Sequence, residues 1–145
     1  MVYVDAPSIV SNDTNIFVRY SDDNGATWSA PIRVNDDATT KSQFNPAVAV
    51  DETTGDVAVT WYDARNSPGD NTTQIFGTVS DNGGLSFLAN VLISAGTSDA
   101  SLVDPGFDYG DYDLRQWHVL AHLGRQLQQY RRQPERDKRI GHLHR

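Results

Sequence analysis

The chain has 145 residues and no cysteine, which excludes a disulfide framework and thiolate metal sites. No apolar run approaches the roughly 18 residues of a membrane-spanning helix, and residues 1–5 lack the basic start and apolar stretch of a signal peptide. The formal net charge of −7 conceals two compositions, because residues 1–113 carry 17 acidic and four basic side chains whereas residues 114–145 carry two acidic and eight basic ones. We therefore predict two parts that meet near residue 113.

The region from residue 15 to residue 94 alternates short β-rich runs with clusters of Asn, Asp, Gly and Pro. This pattern is typical of antiparallel strands joined by tight turns, and we predict no helix there. Residues 52–56 form a predicted hairpin turn in which Gly55 supplies the positive φ. The predicted strands are residues 16–20, 32–35, 47–51, 57–62, 74–79 and 87–93.

Two eight-residue segments repeat along the chain. SDDNGATW at residues 21–28 and SDNGGLSF at residues 80–87 align position by position, and we call the sequence separation from Ser21 to Ser80 the repeat interval. The shared positions are those of a local turn, in which a carboxylate or amide accepts backbone N–H groups and glycine takes a positive φ. The aromatic residue at the end of each segment is expected to pack between strands. The aligned residues are Ser21, Asp23, Gly25, Thr27 and Trp28 with Ser80, Asn82, Gly84, Ser86 and Phe87.

The motif S-x-D-x-G-x-T-W resembles the Asp box, or BNR repeat, of the sialidase superfamily. The first copy fits at every position and the second is degenerate. The context NPAVAVDETTGDVAVTWYDARN, followed by IFGTVSDNGG, is also similar to three successive strands of a sialidase blade that lead into a box. The resemblance covers residues 1–112 and implies an all-β fold, a β-propeller.

On that template the chain supplies about two and a half four-stranded antiparallel blades. Residues 1–113 would hold the outer two strands of one blade, a whole blade over residues 45–94, and the first strand of a third near residues 107–112. Propellers close with four to eight blades. We therefore expect the remaining blades of a longer protein as partners. In their absence we expect the chain to be poorly folded or to associate through its open strand edges.

The pocket of a propeller of this kind would lie at the end opposite the boxes. In sialidases, as the resemblance implies, three arginines hold the substrate carboxylate, a Tyr paired with a Glu is the nucleophile and an Asp is the acid/base. Only Arg65 suits the arginine cluster, with an ion pair to Asp63 or Asp70 as the alternative, and Arg19 and Arg33 are predicted to be solvated on outer strands. Asp63 and Asp70 precede and follow Arg65 in one loop, and the candidates of the next connection are Asp104, Asp108, Tyr109, Asp111 and Tyr112.

The Tyr/Glu pair is poorly matched. Tyr109 or Tyr112 would need an adjacent Glu, and the sole Glu before residue 114 is Glu52, in the predicted hairpin turn. Residues 22–25 superficially resemble part of a calcium loop but lack its bidentate Glu and full ligand spacing. We predict structural turns at the boxes, and neither a metal nor a cofactor.

The basic tail, residues 114–145, allows three interpretations. Leu120, Leu123, Leu127 and Tyr130 lie near one face of a possible amphipathic helix, and the charge would suit a nucleic-acid-binding arm. We favour a frame-shifted translation of the third blade, since codons for residues 123–126 read one nucleotide later can give Trp-Ala-Asp-Asn, as near Trp61 in the preceding blade. On that hypothesis the four His residues have no evolved role and no nucleic acid is bound.

The resemblance implies a function outside the cell or at its surface. The leading hypothesis is a portion of an exported sialidase-like glycoside hydrolase of the exo-sialidase type, inactive in isolation and directed at sialylated or other glycans. The alternative is a non-catalytic Asp-box propeller that serves as a glycan-binding, protein-binding or surface-structural module. Any export signal would lie outside this chain, and fold analogy alone supports the hydrolase.

Overall fold

A computed structural model describes residues 1–99, which form eight strands and no helix. This part of the chain is all-β, as predicted, and it includes no helix of the length and apolarity needed to cross a membrane. The strands are β1 (Val2–Asp5), β2 (Asn15–Val18), β3 (Ile32–Arg33), β4 (Gln43–Val50), β5 (Val57–Asp63), β6 (Thr72–Ser80), β7 (Val91–Leu92) and β8 (Ser98–Asp99).

The strands form two antiparallel sheets. The first sheet has the order β1-β2-β3, and the second has the order β4-β5-β6-β7 with β8 also paired to β6. Within each sheet, strands up to β7 pair with their neighbours in the chain, so each sheet is a simple meander. The arrangement agrees with the predicted strand-turn-strand pattern of residues 15–94.

The first sheet has one strand more than predicted. β1 pairs with β2 from Val2 opposite Val18 to Asp5 opposite Asn15, so residues 2–5 are part of the sheet. The alternation of Val and Tyr in this segment is a strand signal. Its shortness and its position before a Pro-containing connection concealed it, and the expectation of only two strands here is corrected to three.

β4 begins four residues earlier than predicted. Asn45 adopts a φ of 48°, and the pairing of β4 with β5 shifts register between Phe44 and Ala47. A bulge of this kind accommodates Pro46, which cannot donate to a ladder of hydrogen bonds. The Asn-Pro pair therefore interrupts the strand without ending it.

The predicted hairpin turn joins β4 to β5. Gly55 has a φ of 75°, and its N–H donates to the carbonyl of Asp51 at 2.7 Å. Asp51 also accepts from the backbone N–H of Thr53 at 2.8 Å, which is the main cause that holds the pKa of Asp51 below its ordinary value. The prediction for residues 52–56 is confirmed.

β3 and β7 are shorter than the sequence pattern indicated. Side chains replace the backbone ladder at their ends: Asn35 Oδ1 accepts from the N–H of Ile16 at 2.9 Å, and Ser94 Oγ accepts from the N–H of Ile75 at 3.1 Å. Asn90, before β7, donates its backbone N–H to Asp36 instead of to β6. Sequence periodicity does not reveal where a side chain takes the place of a backbone hydrogen-bond partner, so it overestimates the length of these two strands.

The main core lies between the two sheets. Alternate residues of β2 and the residue after β3 point at the second sheet, and alternate residues of β5 and β6 point back, as the alternation of side chains along a strand requires. The buried members of the core are Ile16, Val18 and Val34 from the first sheet, and Val57, Val59, Trp61 and Phe76 from the second.

The repeat interval recurs in the strand pairing. Phe17 lies opposite Arg33 in the first sheet, and Phe76 lies opposite Leu92 in the second, so both members of the pair are displaced by the repeat interval. The contacts beside this pair repeat in the same way, since Val34 N–H donates to the Ile16 carbonyl at 2.8 Å and Ile93 N–H donates to the Ile75 carbonyl at 2.8 Å. The two sheets therefore contain one structural unit twice.

The connections divide between the two ends of the sheets. The two boxes, residues 21–28 and 80–87, follow β2 and β6, whereas residues 6–14 and 64–71 precede those strands. Because β2 and β6 run straight through their sheets, the boxes lie at one end and the loops before the strands lie at the other. The link at residues 34–42 joins the loop end, where Gln43 pairs with Asp63.

Candidate functional site

The first box is closed by its own side chains. Ser21 Oγ accepts from Gly25 N–H at 2.8 Å, and Asp23 Oδ1 accepts from Thr27 N–H at 2.8 Å and from Ser21 Oγ at 2.8 Å. The indole N–H of Trp28 donates to the Gly25 carbonyl at 3.1 Å. The hydroxyl, carboxylate and indole groups of the motif are thus all used within the turn.

The second box repeats these contacts although an amide replaces the carboxylate. Gly84 N–H donates to Ser80 Oγ at 2.8 Å, and Ser86 N–H donates to Asn82 Oδ1 at 3.0 Å. Asn82 Nδ2 then donates to Ser86 Oγ at 2.7 Å, where the first box has a hydroxyl donating to a carboxylate. Gly25 and Gly84 adopt φ values of 87° and 91°, which disfavour any residue with a Cβ.

The carboxylate of Asp23 is strongly stabilised as an anion. The side-chain hydroxyl and the backbone N–H of Thr27, followed by Ser21, lower the pKa of Asp23 from 3.8 to about 2. Its oxygens are engaged by these donors, so they are poorly placed to hold a cation. Among residues 1–99, no group of three or more carboxylate or imidazole side chains is arranged to bind a metal ion.

The two box aromatics differ in their surroundings. Trp28 is 41% exposed, whereas Phe87 is partly buried and packs against the core between the sheets. Because the two turns have the same conformation, the difference in exposure between Trp28 and Phe87 reflects the packing around each sheet and not the turn itself.

Arg65 is the centre of a polar cluster at the loop end. Its Nε and Nη2 donate to Asp63 Oδ2 at 3.0 and 2.8 Å, and its Nη1 donates to Asp36 Oδ1 at 2.8 Å. Nη2 also donates to Asn90 Oδ1 at 2.9 Å, and the guanidinium carbon lies 4.2 Å from the centroid of the Phe76 ring. Only 13% of the Arg65 side chain is exposed.

Asp63 supplies the buried carboxyl group of this cluster. Its side chain is fully buried, and Oδ2 accepts from the indole N–H of Trp61 at 2.7 Å as well as from Arg65. Oδ1 accepts from the backbone N–H of Arg65 at 2.8 Å and from Gln43 Nε2 at 3.4 Å. A carboxylate so fully hydrogen-bonded serves to orient its neighbours.

The remaining members of the cluster come from the link between the sheets. Asn35 Nδ2 donates to Asp37 Oδ1 at 2.7 Å and to Gln43 Oε1 at 3.1 Å, while Asn90 and Asp36 exchange two hydrogen bonds of 2.8 and 2.9 Å. We call Asn35, Asp36, Asp37, Gln43, Asp63, Arg65 and Asn90 the Arg65 network.

Most of the Arg65 network was not anticipated. Only Asp63 and Arg65 were candidates, because the residues around position 36 and position 90 lie in connections far apart in the chain. The repeat contained a partial signal: Asn35 and Ser94 are separated by the repeat interval, and both accept a β-strand N–H through a side-chain oxygen.

Charges within the network reinforce one another. Burial alone would lower the pKa of Arg65, but its hydrogen bonds to Asp63 and Asp36 and the charges of Asp63 and Asp37 raise it above its usual value. Burial likewise opposes ionisation of Asp37, yet hydrogen bonds from Asn35 and Thr39 and the charge of Arg65 hold the pKa of Asp37 below its usual value. Arg65 and Asp37 therefore stay charged at neutral pH.

Asp70 lies in the same loop but outside this network. It adopts a φ of 57°, and its carboxylate accepts from the backbone N–H of Ser42 at 3.0 Å and from Ser42 Oγ at 2.8 Å. Arg65 thus pairs with Asp63 and Asp36 and not with Asp70. The other pocket candidates lie outside the described residues: Asp104, Asp108, Tyr109, Asp111 and Tyr112.

The two arginines of the first sheet also differ from expectation in one respect. Arg33 has a side chain that is 42% exposed and donates to the Asp37 carbonyl at 2.9 Å, in keeping with a solvated position. Arg19 is half-buried, and its Nε is buried without a hydrogen-bond partner. The expectation that Arg19 is solvated is wrong for its Nε atom, which is buried.

The arrangement favours a joint between sheets over a reaction centre. A substrate carboxylate would need the paired N–H groups of an arginine, and both edges of the Arg65 guanidinium are already occupied by protein oxygens. Comparison with known proteins found no matching family model, no similar curated protein and no similar solved structure.

Proposed function

We propose that residues 1–99 are two successive blades of an Asp-box β-propeller of the sialidase-like kind, the first blade lacking its innermost strand. The observation that carries the proposal is the repetition of one unit at the repeat interval, in which strand register, box hydrogen bonds and strand-end contacts all recur. Two meanders packed face to face with a box at equivalent connections also support it.

The protein would act outside the cell or at its surface, on or with glycans. Within it, the described residues serve as scaffold, and the Arg65 network fixes one blade against the next. The saturation of Arg65 favours the non-catalytic alternative for this part of the chain: a glycan-binding, protein-binding or surface-structural module. In an exo-sialidase-type hydrolase, the carboxylate-binding arginines and the Tyr/Glu pair would have to come from other residues.

An activity assay on the 145-residue chain tests the scaffold role. We expect no release of fluorophore from a 4-methylumbelliferyl sialoside, with wild-type chain and the variant Arg65→Ala both at the buffer rate. Measurable turnover that Arg65→Ala abolishes, while near-UV circular dichroism shows the variant to be folded, would overturn the scaffold role and favour the hydrolase.

The gene offers an independent test of the propeller. Translation of the encoding DNA and its flanks in all frames should reveal further boxes spaced close to the repeat interval, and three pocket-facing arginines with a Tyr/Glu pair if the whole protein is a sialidase. The same translation tests the frame-shift hypothesis for residues 114–145, which lie outside the described part. Stop codons or a loss of the strand pattern in the alternative frame would refute that hypothesis.

A further inference from the structure

Two tripeptides of the chain share the pattern Asn-X-Thr. NDT at residues 12–14 leads into β2, and NTT at residues 71–73 runs into the start of β6. The second tripeptide follows the first by the repeat interval, residue for residue, so the two occupy equivalent positions in the two copies of the structural unit. No other asparagine in the 145 residues is followed by Ser or Thr at the second position after it.

Both asparagine side chains lie at the surface of the loop end. Asn12 and Asn71 are exposed. Within residues 1–99 neither Nδ2 group donates a hydrogen bond to the protein, and Asn71 Oδ1 accepts one from Ser67 Oγ at 3.4 Å. The amide nitrogen of each side chain is therefore accessible.

The backbone of each tripeptide is held in place although the asparagine nitrogen has no partner. Thr14 N–H donates to the Asn12 carbonyl at 2.8 Å. The N–H groups of Asn71 and Thr72 each donate to Ser67 Oγ at 3.1 Å. Each loop thus presents its asparagine to solvent from a fixed backbone.

The two threonines have structural roles that account for their repetition. Thr14 Oγ1 donates to the Gln43 carbonyl at 2.8 Å and accepts from Gln43 N–H at 3.0 Å. Thr73 is 3% exposed and lies opposite Ser98 in the pairing of β6 with β8. The two asparagines make no comparable side-chain contact within residues 1–99, so packing does not account for an asparagine at both positions.

We propose that Asn12 and Asn71 are N-glycosylation sites, to which a transferase adds an oligosaccharide from a lipid diphosphate donor. Asn-X-Ser/Thr, where X is not proline, is the acceptor sequence for N-linked glycans. Nδ2 forms a bond to the anomeric carbon of the sugar, the bond from that carbon to the diphosphate oxygen breaks, and the lipid diphosphate leaves. Nδ2 loses one proton to a base of the transferase, and nothing is oxidised or reduced. The proposal rests on the proposed location outside the cell.

An attached oligosaccharide has to be accommodated by the folded sheets. A glycan is bulky and hydrated, so the nitrogen that carries it must face water after folding. Asn35 shows the opposite situation, since it is 3% exposed and its Nδ2 group donates to three side-chain oxygens. The asparagines of the two tripeptides meet the requirement that Asn35 fails.

The two glycans would emerge close to one another. Ser42 Oγ lies 3.0 Å from the Asn12 carbonyl and 2.8 Å from Oδ2 of Asp70, the residue before Asn71. The loops before β2 and β6 therefore meet at Ser42, at the loop end. Carbohydrate here would cover the end of the two blades where a propeller pocket is expected, which agrees with the non-catalytic alternative for residues 1–99.

Secretion of the full 145-residue chain from mammalian cells, behind an added cleavable export signal, tests the two sites. We expect wild type to carry two N-glycans, Asn12→Gln and Asn71→Gln one each, and the double variant none. Intact mass before and after peptide-N-glycosidase digestion counts the glycans. Chain recovered from the cells is measured together with chain from the medium, so a variant that is poorly released is still scored.

Asn66→Gln is the matched control for these variants. Asn66 is exposed in the same loop as Asn71, but the second residue after it is Pro68, so its replacement should leave both glycans in place. Thr73→Ala should remove the glycan at Asn71 and Thr73→Ser should retain it, because the acceptor sequence requires a hydroxyl at this position.

Three results would overturn the proposal. A wild-type chain that has lost its export signal but carries no glycan would show that neither asparagine is an acceptor. A glycan count unchanged in Asn12→Gln and Asn71→Gln would place the sugar elsewhere, and a single glycan on wild type would exclude the residue whose variant still carries it.

Failure of the proposed location gives a different result. The encoding DNA would then show no export signal upstream of the described strands, although the two asparagines accept glycans in the secretion assay. That combination would contradict a role outside the cell while supporting Asn12 and Asn71 as acceptors.

Discussion

Phe17 and Phe76 occupy the same place in two copies of one structural unit, and within residues 1–99 only Phe76 packs in the core between the two sheets. Trp28 and Phe87 show the same contrast at the ends of the boxes. The turns are alike down to individual hydrogen bonds, so they form from local sequence alone. What differs is burial, which depends on the neighbour that each sheet has.

This contrast separates two sources of order in the molecule. The boxes are held by contacts that span at most four residues, from Ser21 to Gly25 and from Ser80 to Gly84. The covered face of the second sheet is held by contacts between sheets, through the core and through Arg65. Changes on the covered face of the second sheet should therefore cost far more stability than the matching changes on the face of the first sheet that carries Tyr3 and Phe17.

The largest expected effect is that of Trp61→Ala against Tyr3→Ala. Trp61 is fully buried and its indole N–H donates to Asp63, so its removal leaves a cavity and a carboxylate with one donor fewer. We expect Trp61→Ala to lower the free energy of unfolding by about 3–5 kcal/mol. Tyr3→Ala removes one cross-strand stack and should cost about 1 kcal/mol or less.

Urea denaturation followed by tryptophan fluorescence, for the alanine variants and the wild-type chain, measures both changes. If Trp61→Ala and Tyr3→Ala lowered the free energy of unfolding equally, Tyr3 would be as well packed as Trp61, and the contrast in burial between the two sheets would be wrong.

A smaller effect is expected at the joint between the sheets. Arg65 and Arg33 each approach Asp37 Oδ1, at 3.8 and 3.7 Å, but only Arg65 also pairs with the fully buried Asp63. Arg65→Ala would leave that carboxylate buried and underpaired, and we expect a loss of about 3 kcal/mol. Arg33→Ala, in which a largely solvated side chain is removed, should lie within about 0.5 kcal/mol of wild type.

Thermal or urea unfolding of the two arginine variants gives the comparison directly. Arg65→Lys is the useful intermediate, since it keeps the charge and loses the forked contact to Asp63. A stability of Arg65→Ala equal to that of Arg33→Ala would show that the network contributes little to the joint between the sheets.

Features that depend on neighbouring residues, the strands and turns, could largely be predicted from the sequence, whereas contacts between distant residues could not. Alternating β-rich runs predicted five of the eight described strands to within a few residues, and a sixth, Val91–Leu92, lies within the longer predicted range 87–93. The turn around Gly55 was also correct, because these features depend on neighbouring residues. β1 was missed because four residues give little periodicity. The bulge at Asn45 was missed because Asn-Pro ordinarily signals a turn.

The candidate site was only partly predictable for a related reason. Asp63 and Arg65 are two residues apart, so their pairing was foreseen as an alternative to substrate binding. Asp36 and Asn90 lie 29 and 25 residues from Arg65, and their contacts with it exist only once the two sheets have packed. Hydrogen-bond partners that meet only when the two sheets pack together could not be identified from this one sequence.

The smallest expected effect concerns one position of the boxes, where the carboxylate of Asp23 in the first box is replaced by the amide of Asn82 in the second. The pKa of Asp23 lies at about 2, below the ordinary 3.8, so its contribution to the folded box is complete above about pH 4 and is lost as the pH falls towards 2. Asn82 does not titrate, and the second box should stay unchanged through that window.

Chemical shifts of the Thr27 and Ser86 amides, which donate to Asp23 and Asn82, report the two boxes separately. Asp23→Asn should abolish the acid step at Thr27, and Asn82→Asp should create one at Ser86. A Thr27 step centred near 3.8 would show that the carboxylate gains nothing from its donors, and the two boxes would then be alike only in outline.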